Sequence, residues 1–160
     1  MSDLKPGREV AKIAKALRAI DKKLPAQLRK DIRAAATPIV AKAKANARSL
    51  PVRSTDANKI RAAVARGVGV QVKTGKNARI RIVTRMPEKS EAIIPRGFDS
   101  PKGFRHPVFG NSDIWVSQIP EKSDWFFNAV KSEAPFAIAE VKLVLRNAAK
   151  YVAKNGKNKV

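Results

Sequence analysis

The chain has no cysteine, one histidine and few aromatic residues, which make up 6% of its 160 positions. Without cysteine it has no disulfide, no thiolate metal site and no cysteine nucleophile, so zinc ribbons and thiol chemistry are excluded. No apolar run approaches the roughly 18 to 20 residues that a membrane-crossing helix needs. The first turns mix Lys5, Arg8, Glu9 and Lys12 without a continuous apolar stretch, a pattern that predicts no secretory signal. Acidic residues are also scarce: 13 Asp and Glu face 34 Lys and Arg, for a net charge of +21. Scattered carboxylates around a lone imidazole predict no metal site and no bound cofactor.

The positive charge is concentrated at the front. Residues 1–66 hold 17 Lys and Arg against 5 Asp and Glu, residues 67–109 hold 9 against 3, and residues 110–160 hold 8 against 5. Such an excess attracts polyanions, whether nucleic acid, an acidic protein surface or an anionic membrane. A solvated basic face that only maintains solubility explains the same residues without a partner.

The length suits a single domain over residues 1–160, and the pattern of elements predicts an α+β fold. A long kinked N-terminal helical region occupies 1–49. Val10, Ile13, Ala14, Leu17 and Ile20 recur three and four apart in its first helix, with Arg8, Lys12, Lys15, Arg18 and Lys22 elsewhere on the surface. Pro25 breaks this helix or opens a second, which carries Leu28, Ile32, Ala35, Ala36, Ile39, Val40, Ala43 and Ala47, with a bend expected near Thr37 from Pro38. Its alanine face suits close packing. A turn at Leu50-Pro51-Val52 leads to a short helix over 54–67, with Ser54, Thr55 and Asp56 as caps, Ile60, Ala63 and Val64 inside, and Gly67 at its end.

The period then changes to two. Val68, Val70 and Val72, a turn over 73–77, and Ala78, Ile80 and Ile82 predict a hairpin with one wet, basic face. Residues 86–103 read as a long loop, because Pro87, Pro95, Gly97, Pro101 and Gly103 are scattered through them. Phe104–Phe109 and Ile114–Ile119 predict a second strand pair around 110–112. The expectation is therefore a small antiparallel β-sheet of about four strands within 68–119. A long C-terminal helix follows over 123–154, capped by Ser123 or Asp124, bent or restarted at Pro135, with Ala134, Ala137, Ile138, Val141, Leu145, Ala148 and Val152 along one stripe. Leu143, Val144 and Tyr151 widen its apolar arc beyond one core-facing stripe, as expected of a helix that also touches another subunit. The tail at 155–160 is expected to fray.

Both tryptophans, half of the phenylalanines and the only histidine fall between Arg105 and Phe127. Catalysis there would require His106 with Asp99, Asp113 or Asp124 and a serine such as Ser112, but no nucleophile-elbow pattern accompanies them. A histidine ahead of a proline is more often a packing residue, and the chain is read as a non-enzyme. Gly67-Val68-Gly69 and Thr74-Gly75-Lys76 lack the further glycines of phosphate-binding loops and are read as turn residues. Candidate polyanion contacts are Lys12, Lys15, Arg18, Lys22, Arg79 and Arg81, with Lys73 and Arg85 beside the last two. The basic hairpin lacks interleaved aromatics for base stacking, so no sequence-reading function is indicated.

His106-Pro107-Val108-Phe109-Gly110-Asn111, Trp115-Val116, Gln118 and Trp125-Phe126, with the turn and short helix from Pro51 to Val64, resemble segments of the head-tail joining proteins of siphophages, in the version common among phages of actinobacteria. Thr55-Asp56 departs from the Thr-Gly many members carry, and the 86–103 segment is long for them. The resemblance covers most of the chain and implies a structural virion protein, a ring at the neck joining the connector to the tail tube around the DNA channel. It implies homo-oligomerisation, six-fold to match a tail tube or twelve-fold to follow the portal. The implied partners are the neighbouring connector and tail-tube proteins and the genomic DNA in transit, with no membrane. The implied location is the virion neck, and the host cytoplasm during assembly. Since Trp, Phe and Arg dominate interfaces, the expected contact residues are Arg96, Phe98, Phe104, His106, Phe109, Trp115, Trp125 and Phe126. The alternatives are a small basic DNA-binding architectural protein and, a distant third, a basic hydrolase using His106.

Overall fold

The computed structural model describes residues 6–51, 56–74, 78–108 and 111–156. The fold is α+β. In chain order the elements are α1 (Pro6–Ile20), α2 (Leu24–Ala35), α3 (Thr37–Arg48), α4 (Asp56–Gly67), β1 (Val68–Lys73), β2 (Arg79–Thr84), α5 (Ile94–Asp99), β3 (Phe104–Val108), β4 (Asn111–Gln118) and α6 (Trp125–Asn155). The four expected strands are present and form two separate two-stranded sheets, β1 with β2 and β3 with β4. Each hairpin signals its own pairing through alternation and a turn. Nothing in either signals which neighbour its edge meets.

The contacts group into two compact units, neither contiguous in sequence. The first comprises residues 1–38, 70–82 and 134–160. Its core is formed by Val10, Ala14 and Leu17 of α1, Leu28 and Ile32 of α2, Val72 of β1, and Val141 and Leu145 of α6. Ile13, Leu24, Val70, Ile80, Val144 and Val152 pack around them. The 3.6-residue period thus places the predicted stripe of α1 inside, with Lys12, Lys15 and Arg18 exposed. Ile138 departs from its predicted stripe, being 51% exposed.

α1 stops at Ile20, the last apolar position of its stripe. The Asp21 carboxylate accepts the Lys23 backbone N–H at 2.7 Å, a local turn that competes with further helix. Pro25 sits in the first turn of α2, where its missing N–H leaves no bond unmade. The expected bend at Pro38 is a full break. α2 ends at Ala35, Ala36 takes a non-helical conformation (φ −93°, ψ 0°), and α3 restarts with Pro38 in its first turn.

The second unit comprises residues 39–69 and 83–133. It buries Ile39, Ala43 and Ala47 of α3, Leu50, Val64 and Ala65 of α4, Val68, and Trp125 and Ala129 of α6. The alanine face of the second predicted helix is therefore internal here. Gly67, where α4 gives way to β1, has no room for a side chain: a Cβ would lie 2.0 Å from the Arg85 carbonyl oxygen, and the Arg85 N–H donates to the Gly67 carbonyl at 3.0 Å. The expected long loop at 86–103 contains a single 3₁₀ turn, Lys89–Glu91, and then α5. Pro95 lies in the first turn of α5, and Gly97 lies inside it because the Phe104 ring leaves no space for a Cβ.

α6 is one helix of 31 residues that contains Pro135 instead of restarting there. The proposed caps at Ser54 and Thr55, the 75–77 part of the first turn, Phe109, and the tail from residue 157 lie outside the described residues. No helix among the described residues is long and apolar enough to cross a membrane.

Candidate assembly surface

The aromatic segment begins with Gly103, whose φ of +65° and closeness to the Gln118 carbonyl, 1.9 Å from a notional Cβ, both require glycine. The chain then runs up β3 and returns down β4. Phe104 pairs with Gln118, Arg105 with Ser117, His106 with Val116, and Pro107 with Trp115. Because paired residues share a face and faces alternate, Phe104, His106, Ile114, Val116 and Gln118 lie on one side, and Arg105, Pro107, Trp115 and Ser117 on the other. The pairing is irregular between Pro107 and Val108.

The base of this hairpin is fixed to α5. The rings of Phe98 and Phe104 meet edge to face, 5.7 Å between centroids and 76° between planes, and the His106 ring lies 5.9 Å from Phe104. Away from that base the hairpin is uncovered: every residue of β4 is exposed. Ile114 and Val116 project from one face and Trp115, 48% exposed, from the other, while Ile119 stands out just beyond the strand. The Trp115 indole N–H is satisfied within the hairpin by the Ser112 carbonyl at 2.6 Å. Its apolar ring remains available.

The two tryptophans therefore differ in kind. Trp125 is buried, its indole N–H donates to the Pro95 carbonyl at 3.2 Å, and its own carbonyl accepts from Asn46 Nδ2 at 2.9 Å. It ties α3 and α5 to the start of α6 and belongs to the interior of its unit. Phe126 is half-buried, edge to face on Trp125, and Phe98, Phe104 and His106 are half-buried also. Of the expected contact residues in the described regions, Trp115 and Arg96 are exposed. Sequence reasoning missed Ile114, Val116, Ile119 and Phe127, all exposed in the same unit. Their signal is the unbroken Ile-Trp-Val run: three apolar residues in succession put apolar groups on both faces of a strand.

The chemistry weighed around His106 finds other uses for its carboxylates. Asp99 receives the backbone N–H groups of Phe126 and Phe127, and Asp124 accepts the Ser123 hydroxyl at 3.0 Å. The His106 Nδ1 lies 3.2 Å from the Pro107 carbonyl. Among the described residues no three His, Cys, Asp or Glu side chains gather where they could hold a metal ion.

In the other unit, Lys15 and Arg18 of α1 and the following Lys22 are exposed away from the buried Val10, Ala14 and Leu17. Lys12 joins Lys142, Arg146 and Glu9 around a groove of about 500 Å³ floored by Ile13, Leu145 and Ala149. Arg81 is exposed, whereas Arg79 is half-buried and its Nε makes no hydrogen bond, so the basic face of β2 is less open than alternation suggests. α6 adds a second apolar stripe. Phe136, 70% exposed, Leu143 and Tyr151 follow one another at helical spacing on a side turned away from Val141 and Leu145. Comparison with protein-family models, with curated proteins and with solved structures found no match to this chain.

Proposed function

We propose that this chain is a structural virion protein that assembles as a ring at the phage head-tail junction, joining the connector to the tail tube around the DNA channel. The observation that carries the reading is the exposure, among the described residues, of ten large apolar side chains, Trp115, Phe127 and Phe136 included, on a chain of net charge +21. A cationic protein has ample polar surface to display, so apolar groups this prominent in both units mark surfaces that assembly covers. The sequence resemblance supplies the setting. Closed cyclic symmetry lets one heterologous contact repeat until the ring shuts, with six copies to match a tail tube or twelve to follow the portal. The exposed basic row on α1 faces acidic neighbouring rings, since a strongly positive channel wall would hold DNA back.

The test is co-purification. Particles banded by density and treated with nuclease retain the chain in stoichiometric amount under this reading. A second reading, a small DNA-binding architectural protein, is favoured by the exposed row Lys15, Arg18 and Lys22. It requires tight duplex binding by the purified chain at physiological salt, falling steeply as salt rises.

A further inference from the structure

An isolated two-stranded hairpin is marginal in water, and its two edges each present unpaired backbone donors and acceptors. The β3–β4 hairpin has this form, and apart from the register irregularity opposite Pro107 and Val108 β4 carries little of the usual protection. The strand runs eight residues, carries one charged side chain, Asp113, and lacks both lysine and proline. Strands with apolar groups on both faces are ordinarily covered on both faces. Here Ile114 and Val116 on one face and Trp115 on the other are open.

The charge pattern indicates what covers them. Within the hairpin's own unit, residues 104–133 carry three Lys and Arg (Arg105, Lys122, Lys131) against four Asp and Glu (Asp113, Glu121, Asp124, Glu133), a net charge of −1 in a chain of +21. An acidic partner would be drawn to the remaining surface, which carries the whole basic excess. Nucleic acid is poorly served as well, because the hairpin offers one cation on the Trp115 face, Arg105 across the pair, against the Asp113 carboxylate of β4. A second copy of this chain is the partner that fits. Two such cations repel over most of their surface, and a segment of net −1 meets the basic remainder of the other copy without that penalty.

We infer that β4 is a self-docking strand: its exposed edge and its Ile114-Trp115-Val116 run insert against a second copy of the chain. The contact is heterologous, an apolar and slightly acidic strand on one copy meeting a basic surface on the next, as a ring requires. This rests on the ring reading and names the element through which subunits join.

The experiment is sedimentation of the full chain from low micromolar to about 1 mM, a range that spans weak to moderate affinities. The variants are Trp115→Asp and Val116→Thr on the hairpin and Ala41→Asp, an exposed position on α3, as a control that adds the same charge. The wild type is expected to associate within this range. Trp115→Asp is expected to raise the midpoint concentration about tenfold or more, as for a buried aromatic contact, and Val116→Thr to raise it less. Ala41→Asp is expected to leave it within about twofold. Circular dichroism establishes that each variant is folded, and Val116→Thr, which retains strand preference, stands if Trp115→Asp does not fold. A wild type monomeric to the highest concentration, or hairpin variants that associate as it does, overturns the inference. Either result leaves the neck reading open to its own test in virions, and a chain missing from virions sinks that reading even where the hairpin variants behave as expected.

Discussion

The Asp99 side chain, at the end of α5, accepts the backbone N–H of Phe126 at 2.7 Å and that of Phe127 at 3.3 Å, so a carboxylate 27 positions earlier caps the longest helix of the chain. The Asp99 carbonyl also accepts the Asp124 N–H at 3.0 Å. The first N–H groups of a helix have no partner within it, and a negative group there also complements the helix dipole. Asp124 itself has φ of 61°, a turn that brings the first residues of α6 onto Asp99. Asp99→Ala is expected to lower stability by about 1–2 kcal/mol, with Asp99→Asn costing less because an acceptor remains. Urea unfolding monitored by circular dichroism measures both.

Gly97 and Phe104 form a second fixed point of the same unit. A Cβ at Gly97 would lie 2.1 Å from the Phe104 ring, so Gly97→Ala is expected to cost about 1–3 kcal/mol. In the background of Phe104→Leu the same substitution is expected to cost less, a departure from additivity of at least about 0.5 kcal/mol. Additive losses in the double variant would show that the ring and the glycine are not in contact.

The tryptophans report their environments separately. Trp115→Phe leaves the buried Trp125, whose emission is expected to be blue-shifted and poorly quenched by acrylamide. Trp125→Phe leaves the exposed Trp115, red-shifted and readily quenched in dilute solution. On stability the order reverses: Trp125→Ala is expected to cost about 3–5 kcal/mol, and Trp115→Ala under about 1 kcal/mol.

The basic row of α1 is expected to matter for assembly and not for folding. Reversing Lys15, Arg18 and Lys22 to Glu changes exposed positions, so stability is expected to shift by about 0.5 kcal/mol or less per site. Particle counts in micrographs are expected to show separate heads and tails. Joined particles with altered DNA ejection would instead assign this row to the channel.

Much of the architecture is legible in the sequence because it is local. The period of Val10, Ala14 and Leu17 marks α1 and its buried face, and the Val68 to Ile82 alternation marks the first hairpin. What is hidden is set by distant partners. Ile94-Pro95-Arg96-Gly97-Phe98-Asp99 reads as a loop because glycine and proline weaken helix. It is helical where Pro95 receives the Trp125 indole, Gly97 lies under Phe104 and Asp99 caps α6. Likewise nothing local separates Trp115 from Trp125, since each sits among aromatic and apolar neighbours. Aromatic density points to the hairpin that carries the exposed Trp115, while the exposure of Ile114 and Val116 depends on which strand lies uncovered.

The most direct test of the proposed neck location is immunogold electron microscopy of purified, nuclease-treated phage particles, with an antibody against this chain. Gold at the junction of head and tail is the expected result. Particles without label, beside a control antibody that marks the tail, would contradict it.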